Sequence, residues 1–147
     1  MAARITRARE LPSGFPSLRD EAAAHGHRML QVLEEDWDSG TTRFDGPGEA
    51  LFAAELGPVL AGIGGVTADP YAGPGVARVR RLYVRIAYRG IGVGRALVEA
   101  AAAEARAAGC RILRVRAPDD AAPFYESLGF RPAPDERGAS HVMTLQA

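Results

Sequence analysis

Apolar positions recur along this chain with two different periods, and each change of period marks a boundary between elements. Residues 4–9 (RITRAR) alternate enough for a short strand. The spacing then turns helical: Ala22, Met29, Leu33 and Trp37 fall on one stripe, and Ser39-Gly40 breaks it. One helix is therefore predicted from about Ser17 to Asp38, with Ser17 and Asp20 resembling a capping box. After the turn cluster Asp45-Gly46-Pro47-Gly48, two β-like runs, Leu51–Leu56 and Val59–Thr67, flank Gly57-Pro58 and read as a hairpin.

Asp69–Gly75 is a loop rich in Pro and Gly. Val76–Ile86 follows as a strand whose apolar members are Val79, Leu82 and Val84. The step from Val79 to Leu82 breaks period two, as a β-bulge would. A helix then runs to about Ala108, with Val93, Leu97, Ala101 and Ala105 on one face and Gly109 as its C-cap. Arg111–Arg116 is a further strand. Asp119 or Asp120 caps a short helix through Leu128, in which Pro123 fits only in the first turn. Short strands near Phe130–Pro132 and Ser140–Leu145 close the chain. The order is β–α–β–β–β–α–β–α–β, an α/β chain (α+β mixed sheet) with helices on both faces. No repeat or linker divides it, so residues 1–147 read as one domain.

Composition narrows the classes. Apolar residues are 47% and charged residues 24%, the balance of a soluble globular protein. No apolar run reaches the ~18–20 residues that span a bilayer, and the N-terminal residues lack a signal-peptide core. The single cysteine, Cys110, cannot form an internal disulfide and reads as a buried thiol, which points to the cytoplasm. All eighteen basic residues are Arg, so Schiff-base chemistry on Lys is excluded. Residues 1–75 hold 6 Arg against 11 acids and residues 76–147 hold 12 Arg against 7, a balance of −5 against +5. A basic half suits nucleic acid or an anionic cofactor. Without interleaved aromatics, a phosphorylated small molecule fits better than nucleic acid.

The stretch from Arg89 to Arg95 carries the most chemistry. Gly90, Gly92 and Gly94 alternate between a strand and a helix, baring backbone N–H groups where the helix dipole is positive. Arg89 and Arg95 add charge, so a pyrophosphate fits here; the bland alternative is a tight turn. A P-loop is excluded, because it ends in Gly-Lys-Ser/Thr. The dinucleotide fingerprint fails on either count, at Leu97 or at Arg95.

Arg89-Gly90-Ile91-Gly92-Val93-Gly94 resembles the Arg/Gln-x-x-Gly-x-Gly/Ala signature of the GNAT superfamily of N-acetyltransferases. Arg81-Leu82-Tyr83-Val84 resembles that family's coenzyme-binding strand, and Phe124-Tyr125-Glu126-Ser127-Leu128-Gly129-Phe130 its Phe-Tyr-x-x-x-Gly-Phe segment. The three matches cover about residues 76–132 in the right order. The resemblance implies the GNAT acyl-CoA N-acyltransferase fold, with acetyl-CoA as cosubstrate and no metal. It implies that the strand Leu82, Tyr83, Val84 pairs with the pantetheine arm, with the N–H of Val84 among the candidates to hold the thioester oxygen. It also implies that the amides from Gly90 through Ile91, Gly92, Val93 and Gly94 to Arg95 hold the pyrophosphate, and that Tyr125 protonates the leaving thiolate. Without it, Tyr125 reads as an aromatic packed on the sheet.

The acceptor side is less marked. Many relatives carry a Glu near the start of the coenzyme-binding strand, where this chain has Arg78-Val79-Arg80-Arg81, and Pro118 stands where an Asn is often found. Glu49, Glu55, Asp69 and Tyr71 are candidates for the base only by their nearness to the central strands, and none is assigned. His25, His27 and His141 show no metal-ligand spacing and read as structural or exposed. Trp37 reads as core in preference to an acceptor floor. The expected reaction is acetyl transfer to a primary amine of a small molecule or peptide. A coenzyme-binding module without turnover and a nucleic-acid-binding domain are the rival classes. No nucleic acid or membrane partner is expected, and a homodimer is an open option.

Overall fold

The structure is a computed structural model that describes residues 2–146. Seven strands form one sheet: β1 (Arg4–Ala8), β2 (Ala50–Leu56), β3 (Val59–Ala68), β4 (Val76–Val84), β5 (Ile112–Val115), β6 (Arg131–Pro132) and β7 (His141–Thr144). Their order is β1-β2-β3-β4-β5-β7-β6. All neighbours are antiparallel except β4 and β5. A parallel pair needs a crossover connection, and α3 (Val93–Ala107) supplies it; the other helices are α1 (Phe15–Ala24), α2 (Met29–Ser39) and α4 (Ala122–Ser127).

Strand alternation sorts the core onto two faces. Leu51, Ile63 and Tyr83 pack against Phe15, Leu18, Leu30 and Leu33 of α1 and α2. On the other face Val66, Val79 and Leu113 pack against Val98, Ala101 and Ala105 of α3, with Tyr125 and Phe130 beside them. The predicted stripe of α3 is all buried, from Val93 at 2% exposure to Ala105 at 0%.

The bulge expected between Val79 and Leu82 is present. From Ile63↔Tyr83 to Gly65↔Arg80, β4 carries one residue more than β3, and Arg81 takes a φ of 55°. Val79 and Leu82, of opposite parity, therefore pack against the same cluster.

Three local expectations are corrected. The first helix is two helices, because Gly26 adopts a φ of 82° and the chain turns between Ala24 and Met29. Its start is not a capping box at Ser17: Gly14 is the N-cap, and Pro16 suits the first turn, where N–H groups have no partner anyway. Asp119 and Asp120 do not cap α4 either; they form a 3-10 turn, and α4 begins at Ala122 without a side-chain cap. Smaller shifts are that Ala108 is the C-cap of α3 with Gly109 just beyond it, and that Cys110 is half-buried.

Candidate active site

The site begins with a failure of strand pairing. β4 and β5 are joined only from Val76–Ile112 to Arg78–Arg114. The bulge at Arg81 then swings β4 away, and its edge as far as Val84 has no strand beside it on that side. Arg85 N–H donates to the Ala61 carbonyl on the β3 side at 2.8 Å. Alternation therefore turns the N–H and carbonyl of Val84 to the open side. Arg89 meets that carbonyl there: its Nε donates at 2.9 Å, and its guanidinium lies 5.3 Å from the centre of the Tyr83 ring.

A cavity of about 350 Å³ opens on this edge. Leu82, Tyr83 and Val84 line it from the strand, Arg89, Gly90 and Gly94 from the glycine-spaced loop, and Phe124 and Tyr125 from α4. Ile91, Gly92 and Arg95 are exposed outside this lining, and the Val93 side chain turns inward to the core. Gly92 is the N-cap of α3 at a φ of 93°, which an L side chain rarely adopts, and space around it is open. The first-turn N–H groups of α3 thus face outward beside the cavity without intrahelical partners.

Tyr125 is 4% exposed and lines this cavity from α4. Its ring meets Phe124 edge-on at 4.9 Å and Phe130 at 5.4 Å. Burial pushes its phenol well above the ordinary value, so it is protonated at any working pH.

Tyr125 also lines a second cavity of about 380 Å³, on the other side of the notch. The turn between α1 and α2, Gly26 to Met29, forms one wall, β4 from Arg78 to Leu82 another, and the segment after β5 a third. His27 and Pro118 line both cavities. The His27 ring is half-buried, 6.3 Å from that of Tyr83 and tilted by 56°.

His27 and Glu21 are the residues that sequence reasoning missed. Glu21 Oε2 accepts from the Tyr83 hydroxyl at 2.7 Å and from the Ile86 N–H at 3.1 Å. Burial works against the charged Glu21 carboxylate, but these two hydrogen bonds and Arg85 outweigh it and hold the carboxyl below its usual range. Gly26 inside the predicted helix was the available signal, since a glycine there permits the turn that brings His27 to the notch.

The acids weighed as bases lie elsewhere. Glu55 pairs with Arg4 at 3.2 Å, Asp69 is buried beside Arg114, and Glu49 lines a third cavity with Thr67. Tyr71 is exposed between the guanidinium groups of Arg78 and Arg137. Trp37 stacks on Phe44 with an interplanar angle of 25°, as a core residue would. Among the described residues, no group of three or more His, Cys, Asp or Glu is placed to hold a metal ion, and no helix is long and apolar enough to cross a membrane.

A family model described as an acetyltransferase (GNAT) domain matches residues 47–132, more than half of the chain. The chain belongs to the GNAT acetyltransferase family. Solved structures agree with the GNAT fold. A candidate acetyltransferase from Exiguobacterium sp. 255-15 superposes with a TM-score of 0.86 at 24% identity, covering 98% of this chain and 94% of that one. YhbS of Escherichia coli, a GNAT family N-acetyltransferase solved with CoA, gives 0.68 at 18% identity over 99% of this chain and 82% of its own. A Bacillus subtilis acetyltransferase solved with CoA gives 0.68 at 16% identity, covering 98% and 99%. No curated protein matches the sequence. This GNAT chain is thus an acyltransferase whose family acts on amine acceptors.

Proposed function

We propose that this GNAT enzyme transfers an acetyl group from acetyl-CoA to a primary amine of a small molecule or peptide by direct attack, with Tyr125 as general acid. The observation that carries the reading is the unpaired edge of β4 with Tyr125 lining the same cavity. An arm bearing amides fits such an edge as an added strand. Leu82 and Val84 would hold it with their backbone groups, and Arg89 would release the Val84 carbonyl as it does so. The amides from Gly90 to Arg95, with the positive end of α3 and the Arg89 guanidinium, would hold the pyrophosphate.

When bound, the coenzyme supplies an activated acyl group. The chain's own part is to orient it, neutralise the amine and protonate the sulfur. The N–H of Val84, aimed into the notch, would support the thioester oxygen as charge grows on it. Tyr125 would give its proton to the departing thiolate. Its raised pKa makes it a weaker acid than a free phenol, so the transfer would be driven by the cost of leaving a thiolate charge in the same buried site. For the acceptor, His27 would take the proton, since it lines both cavities. A reducing cytoplasm suits a chain whose only cysteine is unpaired.

Calorimetry with acetyl-CoA, followed by thiol-release assays against a panel of primary amines, tests the reading. Binding near stoichiometric, with release that depends on an amine, is expected. Absence of binding would sink it. Binding without release for any amine would favour the coenzyme-binding module instead.

A further inference from the structure

The second cavity has a charge pattern that the acyl-transfer reading does not use. Arg28, Arg78, Arg80, Arg81 and Arg116 all line it, and no Asp or Glu does. Two of the five are partly engaged. Arg78 donates to the Gly138 carbonyl and lies 3.7 Å from Asp69, and Arg81 lies 3.7 Å from Asp36. The other three lack a carboxylate. Arg80 donates only to Thr67 Oγ1 at 3.3 Å, and among the described residues Arg28 and Arg116 form no ion pair.

A half-buried guanidinium without a counter-ion is costly unless something else supplies the charge. Burial, and then the neighbouring Arg81, hold the Arg80 guanidinium below its usual pKa, although Asp36, Asp69 and Glu49 work the other way from beyond ion-pair distance. The rest of the wall supplies no counter-charge, since Met29, Leu82 and Val115 are apolar. Nor do the coenzyme's phosphates belong here. Arg89, Gly90 and Gly94 line the first cavity and none of them lines the second.

We propose that the second cavity receives an acceptor amine that itself carries an anionic group, a carboxylate or a phosphate, held by Arg80 and Arg116. This rests on the reading of the notch as the acyl-transfer site. Tyr125 and His27, shared by both cavities, mark where the amine end meets the thioester. The anionic end then points along β4 toward Arg80, where planar guanidinium groups match carboxylate and phosphate oxygens. A polyamine is disfavoured by the same field.

The test uses the intact chain and three measurements. Acetyl-CoA binding by calorimetry comes first and reports on the acyl-transfer reading alone. Second, glutarate and neutral glutaramide are titrated while the Arg Nε–H resonances are followed. Saturable shifts at Arg80 and Arg116 with glutarate only are expected, and no shift, or equal shifts with both, overturns the proposal whether or not acetyl-CoA binds. Third, thiol release is compared within the pairs phenylalanine and phenethylamine, and O-phosphoethanolamine and ethanolamine, which separates carboxylate from phosphate. Where either member of a pair turns over, the anionic one should have the higher kcat/KM by about tenfold or more. Arg116→Gln, an exposed position that folding should tolerate, and Arg80→Gln should erase that preference through KM while leaving the acetyl-CoA Kd in place. Preference for the neutral amines, or loss of acetyl-CoA affinity in Arg80→Gln and Arg116→Gln, would overturn it.

Discussion

The Tyr83 hydroxyl donates to Glu21 Oε2 at 2.7 Å, which ties the end of β4 to α1. The same oxygen accepts the Ile86 N–H at 3.1 Å, and the other Glu21 oxygen lies 3.7 Å from Arg85. One carboxylate thus fixes the strand end that carries Val84 and the start of the loop leading to Gly90. The open edge of β4 is thus held from behind by α1, against which the Tyr83 ring also packs.

This pairing gives stability a pH signature at both ends. Burial and then the bond to Glu21 push the Tyr83 phenol from 10.0 up to about 12. A folded pKa above the unfolded one means that the contribution is full below pH 10.0 and is lost as pH rises toward about 12. Glu21, held below its usual range, has the opposite sign: its contribution is present above the ordinary carboxylate range and is lost as pH falls through it. Urea midpoints followed against pH should fall less steeply on the alkaline side in Tyr83→Phe and on the acid side in Glu21→Gln. Parallel curves for wild type and variants would disprove the coupling.

Tyr125→Phe keeps the edge-on contacts with Phe124 and Phe130 and removes only the hydroxyl, the proton donor of the proposed mechanism. We expect kcat to fall about 100-fold, with the acetyl-CoA Kd changed by less than about twofold because the phenyl ring still closes the cavity. Steady-state kinetics beside calorimetry checks both. An unchanged kcat would mean that the thiolate leaves without help from this residue.

His27→Ala tests the acceptor side separately. The ring lines both cavities but belongs to a turn between helices, so the fold should survive its removal. The expected result is a loss in kcat/KM for the amine of about 100-fold, partly restored by added imidazole. A loss that imidazole does not restore would make His27 a positioning residue for Tyr83, whose ring lies 6.3 Å away.

What could be read in advance followed from how local each feature is. The helix from Val93 was legible because one face carries Val93, Leu97, Ala101 and Ala105 in unbroken register. The bulge was legible too, since only an extra residue lets Val79 and Leu82 share a face. The split at Gly26 was masked, although the glycine itself signalled it, because Ala22 and Met29 keep helical spacing across the turn by coincidence. The arginine cluster was hidden for a deeper reason. Arg80 and Arg116 line one cavity because β4 and β5 stop pairing after Arg78, and that parting is a tertiary event. The same holds for Glu21, whose partner Tyr83 is sixty-two positions away.

Asp69 supplies the strictest test of the structure away from the cavities. Its side chain is 0% exposed, with Oδ2 3.6 Å from Arg114 Nη1 and 3.7 Å from Arg78 Nη1, and no hydrogen bond reaches that oxygen. Oδ1 accepts the Tyr71 N–H at 2.7 Å. Asp69→Asn can keep the Tyr71 bond through its amide oxygen, but it removes the buried negative charge between two guanidinium groups and leaves the almost fully buried Arg114 with only the exposed Glu136, 3.8 Å away. Breaking a buried pair from one side leaves the partner charge stranded, so a loss of about 3 kcal/mol is expected from urea unfolding. Replacing Arg114 as well, in Asp69→Asn/Arg114→Met, removes that stranded charge and should recover part of the loss. If Asp69→Asn unfolds at the wild-type midpoint, the carboxylate is solvated in solution. The strand joint at Arg78–Arg114, from which the notch opens, would then be held by backbone pairing alone.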